Sequence, residues 1–178
     1  CCKCEQVVMA PKEPSPIPKA LAGASLITDV IINKISYHLP CYRQSKILAN
    51  KGVYIPDNTI GNWIMDAAEA FLPLREALWQ EIDNSKYLQV DETTAKVLNP
   101  EKTGYIWAYY NPLLKFVVYD FALTRAAKNP EQRLKSFDGK LQTDGYPGYT
   151  KLHESREVSF ECNTHARRKF VDVLKITK

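Results

Sequence analysis

The spacing of apolar residues changes once along this chain, and that change limits what the chain can fold into. Up to about Asp83 the spacing is helical, with Leu26, Ile27, Val30, Ile31, Ile35 and Leu39 on one stripe. From Tyr87 onward it alternates. YLQVDETTAKVL, GYIWAYYNP and KFVVYDFAL read as three strands of an antiparallel meander, the last two joined through NPLLK. A block of helices followed by strands mixed with helices points to an all-helical segment ahead of an α/β domain. We therefore expect three parts: residues 1–20, a helical segment over 21–84, and a sheet domain over 85–178.

Within the helical part, Pro40 ends or interrupts the first helix, because it lacks an N–H and crowds the preceding turn. CYRQSKILANKG gives a second helix with Gly52 as its C-cap. A third spans IPDNTIGNWIMDAAEAFLPLREALWQEID, with Asp57 or Asn58 as N-cap and Pro73 placed to kink or divide it. A helix, the turn KGVYIPDN and a second helix could pass for a DNA-binding helix-turn-helix; the plainer reading is a packed helical hairpin.

Two stretches precede these helices. APKEPSPIPKA holds four prolines in eleven residues and reads as an extended linker. Before it stands CCKCEQ, where Cys1 and Cys4 have the C-x-x-C spacing of half a zinc site. No second C-x-x-C follows, so the remaining ligands of such a site are expected upstream. The chain starts without Met, which reads as a piece of a longer protein. Its five cysteines, an odd number, argue against a disulfide framework.

After the meander, NPEQRLKSFDG reads as a helix with Asn129 as N-cap, Pro130 at its first helical position and Gly139 as C-cap. KLQTDGY is a fourth strand ending on Asp144, REVSFECNTHA a fifth, and HARRKFVDVLK a basic helix. The order is β-β-β-α-β-α-β-α.

An aspartate in the middle of a strand calls for an explanation, because Asp is a poor strand former. Asp91 sits so in the first strand, and Asp144 ends the fourth. A helical crossover can return the fourth strand beside the first, which would set the two carboxylates side by side. Adjacent carboxylates repel unless a cation lies between them. Mg²⁺ or Mn²⁺ suits two oxygen donors, and such ions activate a water or a 3′-hydroxyl in phosphoryl transfer. An exposed edge acid and a plain turn acid fit the same spacing.

The stretches HLPCYRQSKILANKGVYIPDNTIGNW, VDETTAKVL, LQTDGYPGYTKL and THARRKFVDV follow one another in the order of IS66-type transposases, which this chain resembles over nearly its whole length. The resemblance implies a DDE transposase with an RNase H-like core, preceded by a helical segment and a zinc-binding segment. It implies a two-metal Mg²⁺ or Mn²⁺ site, with Zn²⁺ in the full-length protein. Asp91 of VDET matches the first acid of the triad and Asp144 of TDGY the second. The third, a glutamate on a later helix, has no match here. Glu92, Glu161 and Asp172 are not assigned that role, and this chain alone is expected to be inactive.

Other residues are candidates for holding nucleic acid. Thr93 can hydrogen-bond Asp91 or a phosphate. Tyr146 and Tyr149 can stack on a base or pack in the core. His165, Arg167, Arg168 and Lys169 form a basic cluster suited to phosphate contacts. A net charge of +4 permits a nucleic-acid partner without demanding one. No apolar run approaches the ~20 residues of a membrane span. The resemblance thus implies a bacterial, cytoplasmic and nucleoid-associated protein, with transposon-end and target DNA as partners and a homo-oligomer as the active form. The rival readings are an inactive DNA-binding or assembly remnant of a transposase, and another RNase H-like nuclease.

Overall fold

The structure is a computed structural model that describes residues 15, 17, 20–99, 101–156 and 159–176, the last of them by its backbone. It divides into two compact units at Pro73. Cys1 and Cys4 lie outside the described residues.

The first unit holds α1 (Ala24–Ile35), α2 (Cys41–Asn50) and α3 (Asp57–Ala70). Ile27 and Val30 of α1 meet Ile60, Trp63 and Ala67 of α3 in one core. Ile17 and Ala20, from the stretch read as a linker, are buried in the same core. Pro40 is extended and stands at the N-terminal cap of α2, where its missing N–H costs nothing. Gly52 closes α2 with φ +83°, a conformation glycine adopts without strain, and the next N–H, of Val53, bonds back to Leu48 O at 3.0 Å. Buried Gln44 ties α2 to α1 through Val30 O at 3.3 Å and to Leu39 O at 3.2 Å. The cap of α3 is Pro56 rather than Asp57 or Asn58. Those two side chains instead accept the N–H of the residue that follows each, inside the first turn. The helix that a helix-turn-helix would place in a DNA groove, α3, contains no Lys or Arg; α2 carries Arg43 and Lys46.

α4 (Leu72–Asp83) begins just after α3 ends, with Pro73 in its first turn, so the proline divides the helix. Trp79 and Ile82 of α4 are buried in the core of the second unit.

That unit is a mixed α/β structure built on five strands: β1 (Tyr87–Leu98), β2 (Glu101–Asn111), β3 (Phe116–Ala122), β4 (Lys140–Thr143) and β5 (Ser159–Glu161). The spatial order is β3-β2-β1-β4-β5. The first three strands form an antiparallel meander, β4 runs parallel to β1, and β5 parallel to β4. Buried Asn111 shapes the β2–β3 turn by accepting the N–H of Leu113 and Leu114, both at 3.0 Å. Between β3 and β4 lies α5 (Lys128–Arg133); a 3-10 turn (Pro147–Tyr149) and α6 (Thr150–Glu154) lead to β5, and α7 (Asn163–Ile176) follows it.

α5 is shorter than the pattern predicts. Its cap is Ala127, and the Asn129 amide instead donates to Thr124 O at 2.7 Å. Gly139 caps nothing. Leu134 and Phe137 are drawn into the core just after the helix, and Lys140 N already pairs with Lys86 O at 2.9 Å to start β4. The chain leaves the helix early because the sheet claims it.

The two faces of the sheet differ. Leu88 and Val90 of β1, Trp107 and Tyr109 of β2, Val118 of β3 and Leu141 of β4 point into one core with Tyr149 and Leu152. Burying a large apolar side chain is worth about 2–3 kcal/mol, so this face holds the unit together. The alternate residues, among them Gln89, Asp91, Ala108, Tyr110 and Gln142, face away from that core.

Candidate metal centre and basic groove

β1 and β4 pair through Leu88↔Leu141 and Gln89↔Gln142. Two residues beyond the second pair on each strand are Asp91 and Asp144, so parallel pairing sets them level. Asp91 is exposed, and its Oδ1 accepts the N–H of Glu92 at 2.9 Å. Asp144 is half-buried at the end of β4, where its Oδ1 accepts the Tyr146 N–H at 3.0 Å. The register between the strands is held by side chains as well. Gln142 Oε1 accepts from Gln89 Nε2 at 2.9 Å and from the Tyr87 hydroxyl.

A third side chain joins the two acids. His165 lies in the first turn of α7, directly after β5, and Cys162 N bonds Thr143 O at 2.8 Å to anchor that turn. Asp91, Asp144 and His165 each present one ligand atom, all within 4.8 Å of one another. They line a shallow cavity of about 190 Å³ with Gln89, Gln142 and Cys162. His165 Nδ1 is buried without a hydrogen-bond partner among the described residues. Two carboxylates and an imidazole with a spare nitrogen suit a divalent ion, and the mixed donor set favours Mn²⁺ over Mg²⁺. The Cys162 thiol pKa is pulled down to about 7 by the neighbouring His165 side chain and by backbone N–H groups at the start of α7.

Glu92 answers the question of the acidic pair in a different way from Asp91. Alternation turns it to the core face, where its side chain is only 2% exposed. It survives there because it is paired. Arg125 Nε donates to Glu92 Oε1 at 2.6 Å, Arg125 Nη2 reaches the same oxygen, and the Tyr149 hydroxyl donates to Oε2 at 2.5 Å. Burial and that carboxylate push the Tyr149 hydroxyl pKa well above the ordinary phenol range. Tyr149 packs edge-on against Trp107 and is fully buried, so it offers no ring face to a base.

Tyr146 is half-buried; the Arg125 guanidinium stacks 3.7 Å from the centre of its ring. The motif DGYPGY has a steric reason here: a Cβ at Gly148 would collide with the Tyr146 ring. Thr93 is exposed two residues beyond Asp91 on the same face of β1. Arg168 and Lys169 line a groove with Arg125, Asp144, Tyr146 and His165; Arg167 is exposed on α7 but does not line it. Glu161 and Asp172 are exposed, and Asp172 pairs with Lys175 at 3.3 Å.

Neither Arg125 nor His153 is marked as a site residue by its local sequence. Arg125 was detectable in principle, since a carboxylate on the core side of a strand requires a cation. His153 Nε2 lies 2.7 Å from the Thr143 hydroxyl beneath β4. Nothing in the sequence around it signals that contact.

A sequence profile of the Transposase IS66 family matches residues 19–178. The chain belongs to this family. Two relatives come from Sinorhizobium fredii. Uncharacterized protein y4jD is 34% identical over 196 residues, covering 99% of this chain and 38% of its own length. Uncharacterized protein y4hP is 26% identical over 192 residues, covering 100% of this chain and 35% of its own length. The IS66-family chain described here therefore spans little more than a third of those relatives. Among its described residues, no helix is long and apolar enough to cross a membrane.

Proposed function

We propose that the sheet unit is the metal-binding part of a DNA transposase with an RNase H-like core, and that Asp91 and Asp144 hold the divalent ion. The observation that carries this reading is the convergence of Asp91 in β1, Asp144 at the end of β4 and His165 at the start of α7. Family membership supports the transposase role, and the strand order β3-β2-β1-β4-β5 supports the RNase H-like assignment. Mn²⁺ or Mg²⁺, when bound, activates a water or a 3′-hydroxyl and stabilises the leaving oxygen of a phosphodiester.

The chain's own groups do the rest. β1 holds Asp91 within the sheet, and Asp144 follows directly on β4. The Tyr146 N–H orients Asp144, and the Glu92–Arg125 pair braces the turn from the core side. Arg168 and Lys169 hold the DNA backbone without reading its sequence. The full-length protein works on transposon ends and target DNA as a homo-oligomer. The helical unit contributes further DNA contacts through Arg43 and Lys46 of α2, and Cys1 and Cys4 supply half of a zinc site.

The test is Mn²⁺-dependent nicking of transposon-end DNA by the full-length protein and by its Asp91→Asn and Asp144→Asn variants, with Mn²⁺ binding followed by electron paramagnetic resonance. Both variants should lose nicking and bind Mn²⁺ more weakly. Nicking at the parental rate by either variant refutes the assignment.

A further inference from the structure

We propose that Arg125 is a phosphate clamp: its guanidinium binds a phosphodiester of the strand that crosses the acidic cluster. This extends the reading above from the metal to the nucleic acid and rests on it for the identity of the strand.

Several observations on Arg125 converge. It lies between β3 and α5, and nothing in the local sequence marks it. One edge of its guanidinium is anchored from below by Glu92, whose side chain is 2% exposed, while the Arg125 side chain itself is 40% exposed. The plane of the group is set by the Tyr146 ring, 3.7 Å from the guanidinium carbon. Its main chain is fixed too, because the Tyr146 hydroxyl donates to Arg125 O at 2.9 Å. An arginine held on three sides has already lost the rotamer freedom that an ordinary surface arginine gives up on binding.

The remaining edge is unspent. Nη1 makes no hydrogen bond among the described residues, and Nη2 is 3.9 Å from Asp144 Oδ2. Arg125 lines a groove of about 300 Å³ together with Arg168 and Lys169. A guanidinium fork matches a pair of phosphate oxygens, and a lysine ammonium does not reproduce that match. Asp144, which lines the groove, and Asp91 beside it oppose an anion while they are bare. A divalent ion on them removes that opposition, so phosphate binding at Arg125 and metal binding strengthen one another.

The alternative is that Arg125 exists only to neutralise Glu92. The two ideas part on substitution by lysine, which would keep a positive charge near Glu92 but lose the fork. The experiment is fluorescence anisotropy of a labelled single-stranded 12-mer with the full-length protein, in EDTA and in Mn²⁺, across a salt series. Thermal melting of each variant runs in parallel. Arg125→Lys is expected to melt near the parent and to bind about tenfold more weakly. Arg125→Gln should bind at least as weakly and lower the slope of log affinity against log salt by about 0.7, the share of one contact to a single strand. In the parent Mn²⁺ should tighten binding, and in both variants that gain should shrink.

Arg125→Lys binding within twofold of the parent, with an unchanged gain from Mn²⁺, overturns the clamp. The lysine variant decides the question even where Arg125→Gln fails to fold. Nicking by Asp91→Asn bears on the cleavage reading alone, so weak binding by the Arg125 variants beside parental nicking by Asp91→Asn would keep the clamp and reject the metal assignment.

Discussion

Asp91 and Glu92 are neighbours in sequence and opposites in environment. One points from β1 to an exposed surface, level with a second aspartate and facing a histidine. The other points into the core against an arginine and a buried tyrosine. The same chemical group thus serves two ends. On the outer face Asp91 has no ion-pair partner among the described residues and Asp144 only a distant one, Arg125 Nη2 at 3.9 Å, which costs little beside water and leaves both acids able to take a cation. On the inner face a carboxylate is tolerated only with its charge and both oxygens satisfied. The outer face holds its acids loosely, and the inner face pairs its acid tightly.

The sharpest break of that comparison is Asp91→Asn. It should lower metal-dependent nicking by about a thousandfold, equal to about 4 kcal/mol of barrier, and leave the melting temperature nearly unchanged. A nicking rate and a thermal melt on one preparation check both halves. Trp107→Ala probes the inner face, where it should cost about 3–5 kcal/mol in a urea titration. Tyr119→Ser, at a 59% exposed position of β3, should cost less than about 1 kcal/mol in the same titration. Equal losses would mean that the outer face is as well packed as the inner one.

Glu92→Gln keeps the shape and an acceptor for Tyr149 but removes the charge. With Arg125 partly exposed and able to turn to water, about 1–2 kcal/mol should be lost by urea titration. A loss as small as that of Tyr119→Ser would show that the buried pair does not stabilise the fold.

The smallest effect concerns pH. Burial holds the His153 pKa below its ordinary value of 6.5, against the opposing pull of Glu161. The folded state therefore favours neutral imidazole, and the unfolded chain binds the proton first as pH falls. The contribution is complete above pH 6.5 and is lost as pH drops through the folded value below it. Urea midpoints at several pH values under 6.5 should show a shallow decline that His153→Gln removes.

How much of this was legible in residues alone varies by element. The three long strands announce themselves through alternation, and Pro73 and Gly52 punctuate the helices by local sterics. α5 misled because Asn129 and Gly139 have the chemistry of caps, whereas the core took Leu134 and Phe137 first. Asp91 stood out because acids are rare in strand interiors, and Asp144 because it ends a strand that can return beside the first. His165 could be placed on a helix start but not opposite the acids, since only the β4–β5 pairing carries it there. Arg125 acquires meaning only through Glu92, 33 residues earlier. Long-range partners are written in the register of strands, not in spacing along the chain.

That register rests on little. β4 pairs with β1 over only three matched positions. Side chains alternate along a strand, so a slip of one step would turn Asp144 toward the opposite side of the sheet and separate it from Asp91. Tyr87, Gln89 and Gln142 therefore act as an alignment pin. A conservative change at Gln142 can disable the acids although every ligand residue is kept.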